Sequence, residues 1–309
     1  MIPRDETFKG TYPFAPHFSA APGFNMHYVD EGKGPVVLCL HGEPTWGYLF
    51  RHLIRELSDT HRVIAPDHMG FGKSETPAGR TYWLQDHIDN LEKLVLDLDL
   101  QDITLVMHDF GGPAGMGLAA RHPGRISRVV SINGPVAFGQ PGLQAALEAN
   151  ARESPWFRWI LQAAKEERLK SVLNESGYNI LSTLKLNGFE RNELITPTWL
   201  DAYGAPFPTP ADCAGVLGWA AGFAAGAHQF EHPNAAALEK ISALPAIAIW
   251  GTADHTLHGK YFLPLFQSLF REGEVYELPH AGHYSLEDAP DAIGELISRF
   301  LEATTVSVI

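Results

Sequence analysis

An aspartate stands where a sharp turn from strand to helix would ordinarily present a serine. The run from Asp102 to Met107 reads as a buried strand, and Gly111-Gly112 open a helix that continues through Met116, Leu118 and Ala119. Between them lies His108-Asp109-Phe110, in the context of a nucleophile elbow whose usual form is G-x-S-x-G. Met107 takes the first glycine position and Asp109 the serine position. That exchange sets the chemistry. A serine attacking a saturated carbon would form an ether that water does not readily cleave. A carboxylate forms an ester, which a base-activated water can hydrolyse. Asp109 therefore points to attack on an sp3 carbon, with release by hydrolysis.

Two further features must converge on it. The loop Leu278-Pro279-His280-Ala281-Gly282-His283 follows the last expected strand and precedes the last helix, where a general base of this layout sits. His280 and His283 compete, and His283, after the glycine in the loop tip, is favoured. Trp250-Gly251-Thr252-Ala253-Asp254 places a carboxylate just past another strand end, able to hold an imidazole tautomer and stabilise its protonated form. The order Asp109, Asp254, His283 is that of nucleophile, acid and histidine in hydrolases built on such an elbow. Upstream, Leu40-His41-Gly42-Glu43 follows a buried strand. The backbone N–H groups of Glu43 and Phe110 are the expected oxyanion donors, worth about 3–4 kcal/mol each in comparable sites.

The elements that must hold these residues are legible as patterns. Gly23–Val29 alternates toward a strand, and Pro35–Leu40 is a continuous apolar run of the kind buried on both faces of a parallel sheet. Leu49–Leu57 is helical by spacing, and Arg62–Ala65 is a short strand. Leu84, Ile88, Leu91, Val95 and Leu98 recur at three and four residues, predicting an amphipathic helix. Strands at Ile126–Ile132, Pro245–Trp250 and Val275–Leu278, with a final helix through Ile293, Ile297 and Leu301, complete an α/β chain with a mostly parallel, doubly wound sheet. From Gly139 to Pro233 the pattern is helical and irregular. We expect a core of residues 1–138 and 234–309, with 139–233 inserted as a helical cap.

Composition narrows the function. A formal net charge of −13 and no basic stripe argue against a nucleic-acid partner. Cys39 and Cys213 are far apart and suit a reducing compartment. The N-terminus lacks a secretory layout and no apolar stretch is long enough for a membrane helix, so a cytoplasmic location is expected. Neither His228 and His232 nor His255 and His258 belong to a complete metal-ligand set, and Gly70-Phe71-Gly72-Lys73-Ser74 misses the phosphate-loop spacing. No metal and no cofactor is expected. The partners expected are a small apolar organic substrate and water; the oligomeric state is not encoded in any pattern found.

These residues give the chain a family likeness. It resembles the α/β-hydrolase superfamily throughout and, within it, the haloalkane dehalogenases. The likeness is carried by His41-Gly42-Glu43-Pro44-Thr45-Trp46, Pro66-Asp67-His68-Met69-Gly70-Phe71-Gly72-Lys73-Ser74, His108-Asp109-Phe110-Gly111-Gly112 and Tyr203-Gly204-Ala205-Pro206-Phe207-Pro208. The resemblance implies Asp109 as nucleophile, His283 as base and Asp254 as acid, since Asn133-Gly134-Pro135 offers no carboxylate at the alternative position. It also implies a Trp directly after the nucleophile, binding halide through its indole N–H. This chain has Phe110, which has no such donor. One missing charge-assisted hydrogen bond costs about 1.5–3 kcal/mol. Trp46, Trp156, Trp159 and Tyr203 are candidates for the substrate and halide pocket, with Trp199 and Trp219 as further indole donors.

Hydrolytic dehalogenation is thus the first expectation. Epoxide hydrolysis by the same triad would need an acid such as Tyr178 or Tyr203. β-Lactone decarboxylation is a third possibility, because Tyr12-Pro13-Phe14 and Asp67-His68-Met69-Gly70 resemble a branch near the dehalogenases that acts on β-lactones. A small-ligand receptor on this fold is the alternative from another class, and the intact triad argues against it.

Overall fold

The computed structural model describes residues 2–175 and 178–304. Eight strands form one sheet: β1 (His17–Ser19), β2 (Met26–Glu31), β3 (Val36–Leu40), β4 (Arg62–Pro66), β5 (Ile103–His108), β6 (Ile126–Ile132), β7 (Ala246–Gly251) and β8 (Glu274–Leu278). Their spatial order is β1-β2-β4-β3-β5-β6-β7-β8. Pairing is antiparallel for β1 with β2 and β2 with β4, and parallel from β4 to β8.

Side-chain alternation explains why the central strands are apolar without interruption. Val37 and Cys39 enter one core layer while Leu38 and Leu40 enter the other; Val106 and the pair Leu105 and Met107 divide in the same way. Both faces are covered by helices. The amphipathic spacing seen in the sequence is α2 (Leu84–Asp97), whose Leu84, Ile88, Leu91 and Val95 are fully buried. The helix after the elbow is α3 (Gly111–Arg121), and the predicted Leu49–Leu57 helix is a short 3-10 turn followed by α1 (Arg51–Leu57).

The chain moves from β3 outward to β4, then returns to place β5 on the other side of β3. The strand order reverses there. The crevice beyond the C-terminal ends of β3 and β5 is the place where such sheets bind ligands. Loop 41–43 and Asp109 occupy it.

Between β6 and β7 the described residues form only helices and turns: α4 (Leu143–Glu153), α5 (Pro155–Lys165), α6 (Ile180–Asn187), α7 (Pro197–Gly204), α8 (Ala214–Ala224) and α9 (Ala235–Ser242), with short 3-10 and π turns. Ser154 caps α5 by accepting the Phe157 N–H, and Pro155 occupies its first turn, so the chain breaks sharply between α4 and α5. The remaining helices are α10 (Gly259–Leu269), α11 (Ser285–Asp288) and α12 (Pro290–Ala303). No helix of the described residues is long and apolar enough to cross a membrane.

Candidate active site

Asp109 follows the last residue of β5 with φ +52, a left-handed conformation that is costly for a residue with a Cβ. Two glycines accept the tight turn. A Cβ on Gly42 would lie 2.1 Å from Asp109 Oδ1, and one on Gly134 would lie 2.8 Å from the Asp109 nitrogen. The carboxylate is thereby pressed against the loop after β3, where the Glu43 N–H donates to Oδ1 at 2.8 Å. Its other oxygen, Oδ2, is 3.5 Å from His283 Nε2.

His283 is fully buried, and its Nδ1–H donates to Asp254 Oδ2 at 2.9 Å. Asp254 is held in turn. Its Oδ1 accepts the Thr256 and Leu257 N–H groups at 2.7 and 2.8 Å, and Oδ2 also accepts Asn133 Nδ2 at 2.8 Å. The structure thus brings together Asp109, His283 and Asp254, while His280 lies outside this chain of contacts. Asn133 was missed in the sequence. It lies at the end of β6 in the place where a carboxylate was sought, and there it fixes Asp254 and also accepts the Ser285 hydroxyl and the Gly251 N–H. An amide directly past a buried strand was the available signal.

The electrostatics are those of an ion pair. Burial alone would raise the Asp109 pKa, but the hydrogen bond and charge of His283, with the Phe110 N–H, hold it below the usual carboxylate value. Burial would lower that of His283; the Asp254 and Asp109 carboxylates more than offset this and lift it to about 10. Behind the pair, His108 Nε2–H donates to the His283 carbonyl at 2.8 Å, and burial brings this imidazole down to about 4, so it stays neutral. Glu43 is buried with Oε1 unpartnered, and burial together with the Asp109 charge pushes its carboxyl well above the ordinary range. Burial and the neighbouring charge thus both favour the neutral form of this acid beside Asp109.

The loop carrying His283 is clamped from two sides. Asp288 Oδ2 accepts the Gly282 N–H at 2.8 Å, while its Oδ1 accepts the Glu190 and Arg191 N–H groups at 3.1 and 3.0 Å. The His283 N–H donates to the Gly188 carbonyl at 2.8 Å. Next to Asp288, Glu287 is paired with Arg51 and accepts Trp199 Nε1–H at 3.2 Å and the Tyr203 hydroxyl at 2.5 Å.

A cavity of about 930 Å³ reaches Asp109, with Phe110, Pro113 and Pro135 at its inner end and Leu147, Phe157 and Phe223 along its walls. Phe110 lines it, whereas none of the expected pocket residues Trp46, Trp156, Trp159 and Tyr203 does. Trp46 is fully buried and donates to the Ala202 carbonyl at 2.9 Å. Tyr203 is committed to Glu287, as is Trp199. Trp156 and Trp159 stack on each other at 5.3 Å and do not border the cavity. These four expectations are corrected because sequence shows a ring but not the neighbour that claims it: a carbonyl or carboxylate for Trp46 and Tyr203, another ring for Trp156 and Trp159. Trp219 packs on Phe110 with ring centroids 4.0 Å apart. His228, which does line the cavity, accepts the Leu84 N–H on Nδ1 and donates from Nε2 to the Trp219 carbonyl.

Residues 35–290 match the family model described as the alpha/beta hydrolase fold, and the chain belongs to that family. A cis-3-alkyl-4-alkyloxetan-2-one decarboxylase of Shewanella oneidensis is 34% identical over 299 residues, covering 94% of this chain and 90% of the relative. Haloalkane dehalogenase 2 of Mycobacterium tuberculosis is 30% identical over 292 residues, covering 94% and 96%. Among solved structures, a haloalkane dehalogenase of Bradyrhizobium elkani superposes with a TM-score of 0.71 at 24% identity, covering 94% of this chain and 98% of that one. The chain is an α/β-hydrolase-fold enzyme that resembles the haloalkane dehalogenases.

Proposed function

We propose that Asp109 forms an alkyl ester with a saturated carbon of its substrate, and that the substrate is a β-lactone, decarboxylated to an alkene. The observation that carries the choice of substrate is Phe110: the side chain after the nucleophile offers a departing halide no N–H. A β-lactone has no halide to bind, because its leaving group is a tethered carboxylate.

The electrons balance without water. Asp109 Oδ2 bonds to the ring carbon bearing oxygen as the carbon–oxygen ring bond breaks, freeing a carboxylate on the adjacent carbon. Loss of CO2 then sends the carbon–carbon bonding pair into the alkene and expels the Asp109 carboxylate. Inversion in the first step followed by anti elimination keeps cis substituents cis. Both steps favour an imidazolium beside Asp109, since each leaves a carboxylate there; the raised His283 pKa supports this. The N–H groups of Glu43 and Phe110 would hold the ester carbonyl formed from Oδ1. Segment 139–233 would serve as the cap over this reaction. The identity to the decarboxylase named above supports the same reading.

Hydrolysis of a carbon–halogen bond is the second reading, favoured by the dehalogenase relative. In it Asp109 displaces halide, the lost negative charge lowers the His283 pKa, and the neutral imidazole activates water against the ester. One experiment separates them. Cis-dialkyl-β-lactone and haloalkane substrates are offered in ¹⁸O-water, and the products and the Asp109 peptide are weighed. Alkene and CO2 with unlabelled Asp109 are expected. Halide release with label entering Asp109 would replace the first reading with the second.

A further inference from the structure

The cavity leading to Asp109 changes character along its length in a way that neither reaction requires. Its two helical walls each present two adjacent rows. On α4 the row Leu147 and Ala151 faces the interior beside the row Gln144, Glu148 and Arg152; on α5, Phe157 and Leu161 lie beside Arg158, Gln162 and Lys165. The spacing of three and four residues keeps each row on one helical face. The first rows are buried or half-buried and the second rows are exposed, so the second rows form the mouth.

Three cations stand at that mouth. The side chains of Arg152, Arg158 and Lys165 make no hydrogen bond, ion pair or ring contact among the described residues. Of the arginines, Arg271 alone shares that condition, whereas Arg51, Arg62, Arg121 and Arg125 are all ion-paired. Glu148 is the one acid on the rim, where it accepts from Gln144. A cationic mouth is unusual on a chain of net charge −13. The inner end has the opposite sign, because the Asp109 carboxylate lies there.

We infer that the cavity selects an amphipathic substrate with a terminal anionic group, carboxylate or phosphate, held at Arg152, Arg158 and Lys165 while its alkyl chain runs inward to Asp109. This rests on the proposed attack by Asp109 only in placing the reacting carbon at the inner end. The charge gradient dictates the orientation: an anion is repelled from the inner end and attracted to the rim, and the walls between favour hydrocarbon.

Inert probes test the inference without turnover, so a failed β-lactone assay leaves the result intact. Binding of dodecanoate, dodecyl phosphate and dodecanol is measured by calorimetry, below micelle formation, on the wild type and on R152Q/R158Q/K165Q. An exposed ion pair changes affinity by about two- to fivefold, so three give at least about tenfold. Both anions should bind about tenfold more tightly than the alcohol. The preference should shrink with added salt and vanish in the triple variant. A difference between dodecanoate and dodecyl phosphate identifies the headgroup. Dodecanol binding as tightly as the anions, an anion preference that survives in the triple variant, or no binding of any probe would overturn it. Circular dichroism of the variant keeps loss of fold separate from loss of charge.

Discussion

At the residue scale, the proposed function rests on an aspartate held in a strained turn and ionised by its neighbours. Asp109→Asn removes the proposed nucleophile while keeping its shape, and turnover should fall by at least about 10³-fold with binding of inert ligands unchanged. The raised His283 pKa makes a pH prediction that divides the two reactions. A decarboxylation using the imidazolium should hold its rate through neutral pH and decline as pH approaches about 10. Hydrolysis needs the neutral base, so its rate should rise with pH. Phe110→Trp tests the leaving-group argument directly. With an N–H supplied, halide release should increase by about ten- to a hundredfold, as read by a halide electrode. An unchanged rate would mean the new indole does not reach the leaving atom. Sequence made the grouping of Asp109, Asp254 and His283 legible because each follows a strand end in a fixed chain order. It could not make the tryptophans legible. Whether Trp46 serves a ligand or the Ala202 carbonyl depends on contacts made across more than a hundred residues.

At the element scale, the short helix α11 does more than its four residues suggest. Its two acidic residues, Glu287 and Asp288, tie the His283 loop and α1 to residues 188–203. Asp288→Asn should turn an amide NH2 toward either the Gly282 N–H or the Glu190 and Arg191 N–H groups, leaving donors facing a donor. A loss of about 1–3 kcal/mol follows. Faster amide exchange at Gly282 and His283 and a lower kcat with little change in KM should accompany it; unchanged exchange would remove Asp288 from any positioning role. The major strands and α2 were readable from period alone. β1 was not, because three residues carry too little alternation, and it forms by pairing with β2. The helices between β6 and β7 were expected as a group, but their partners were hidden, since clamps such as Gly188 with His283 rest on backbone atoms.

At the scale of the whole molecule, a chain of buried rings links the sheet to the helices above it. His41 lies 4.5 Å from His68, His68 5.2 Å from His87, and His87 stacks on Trp219 at 4.5 Å. Both ring nitrogens of His68 and of His87 lack partners, and burial drives His87 down to about 3. Such a ring is neutral when folded and protonated when unfolded below its ordinary value of 6.5, so stability falls as pH drops through that value toward 3. At pH 5 this ring alone costs about 2 kcal/mol. His87→Phe keeps the stack and removes the proton site, so its urea midpoint should fall less than that of the wild type between pH 8 and pH 5. Equal shifts would place the acid sensitivity elsewhere. The division of labour above the sheet has a longer consequence. Residues 187–203 grip the His283 loop, whereas α4, α5 and the end of α8 line the passage to Asp109. Selectivity can therefore drift by replacing lining side chains while the machinery that breaks bonds stays in register, which makes the α4–α5 hairpin the natural cassette for exchanging one clientele of molecules for another.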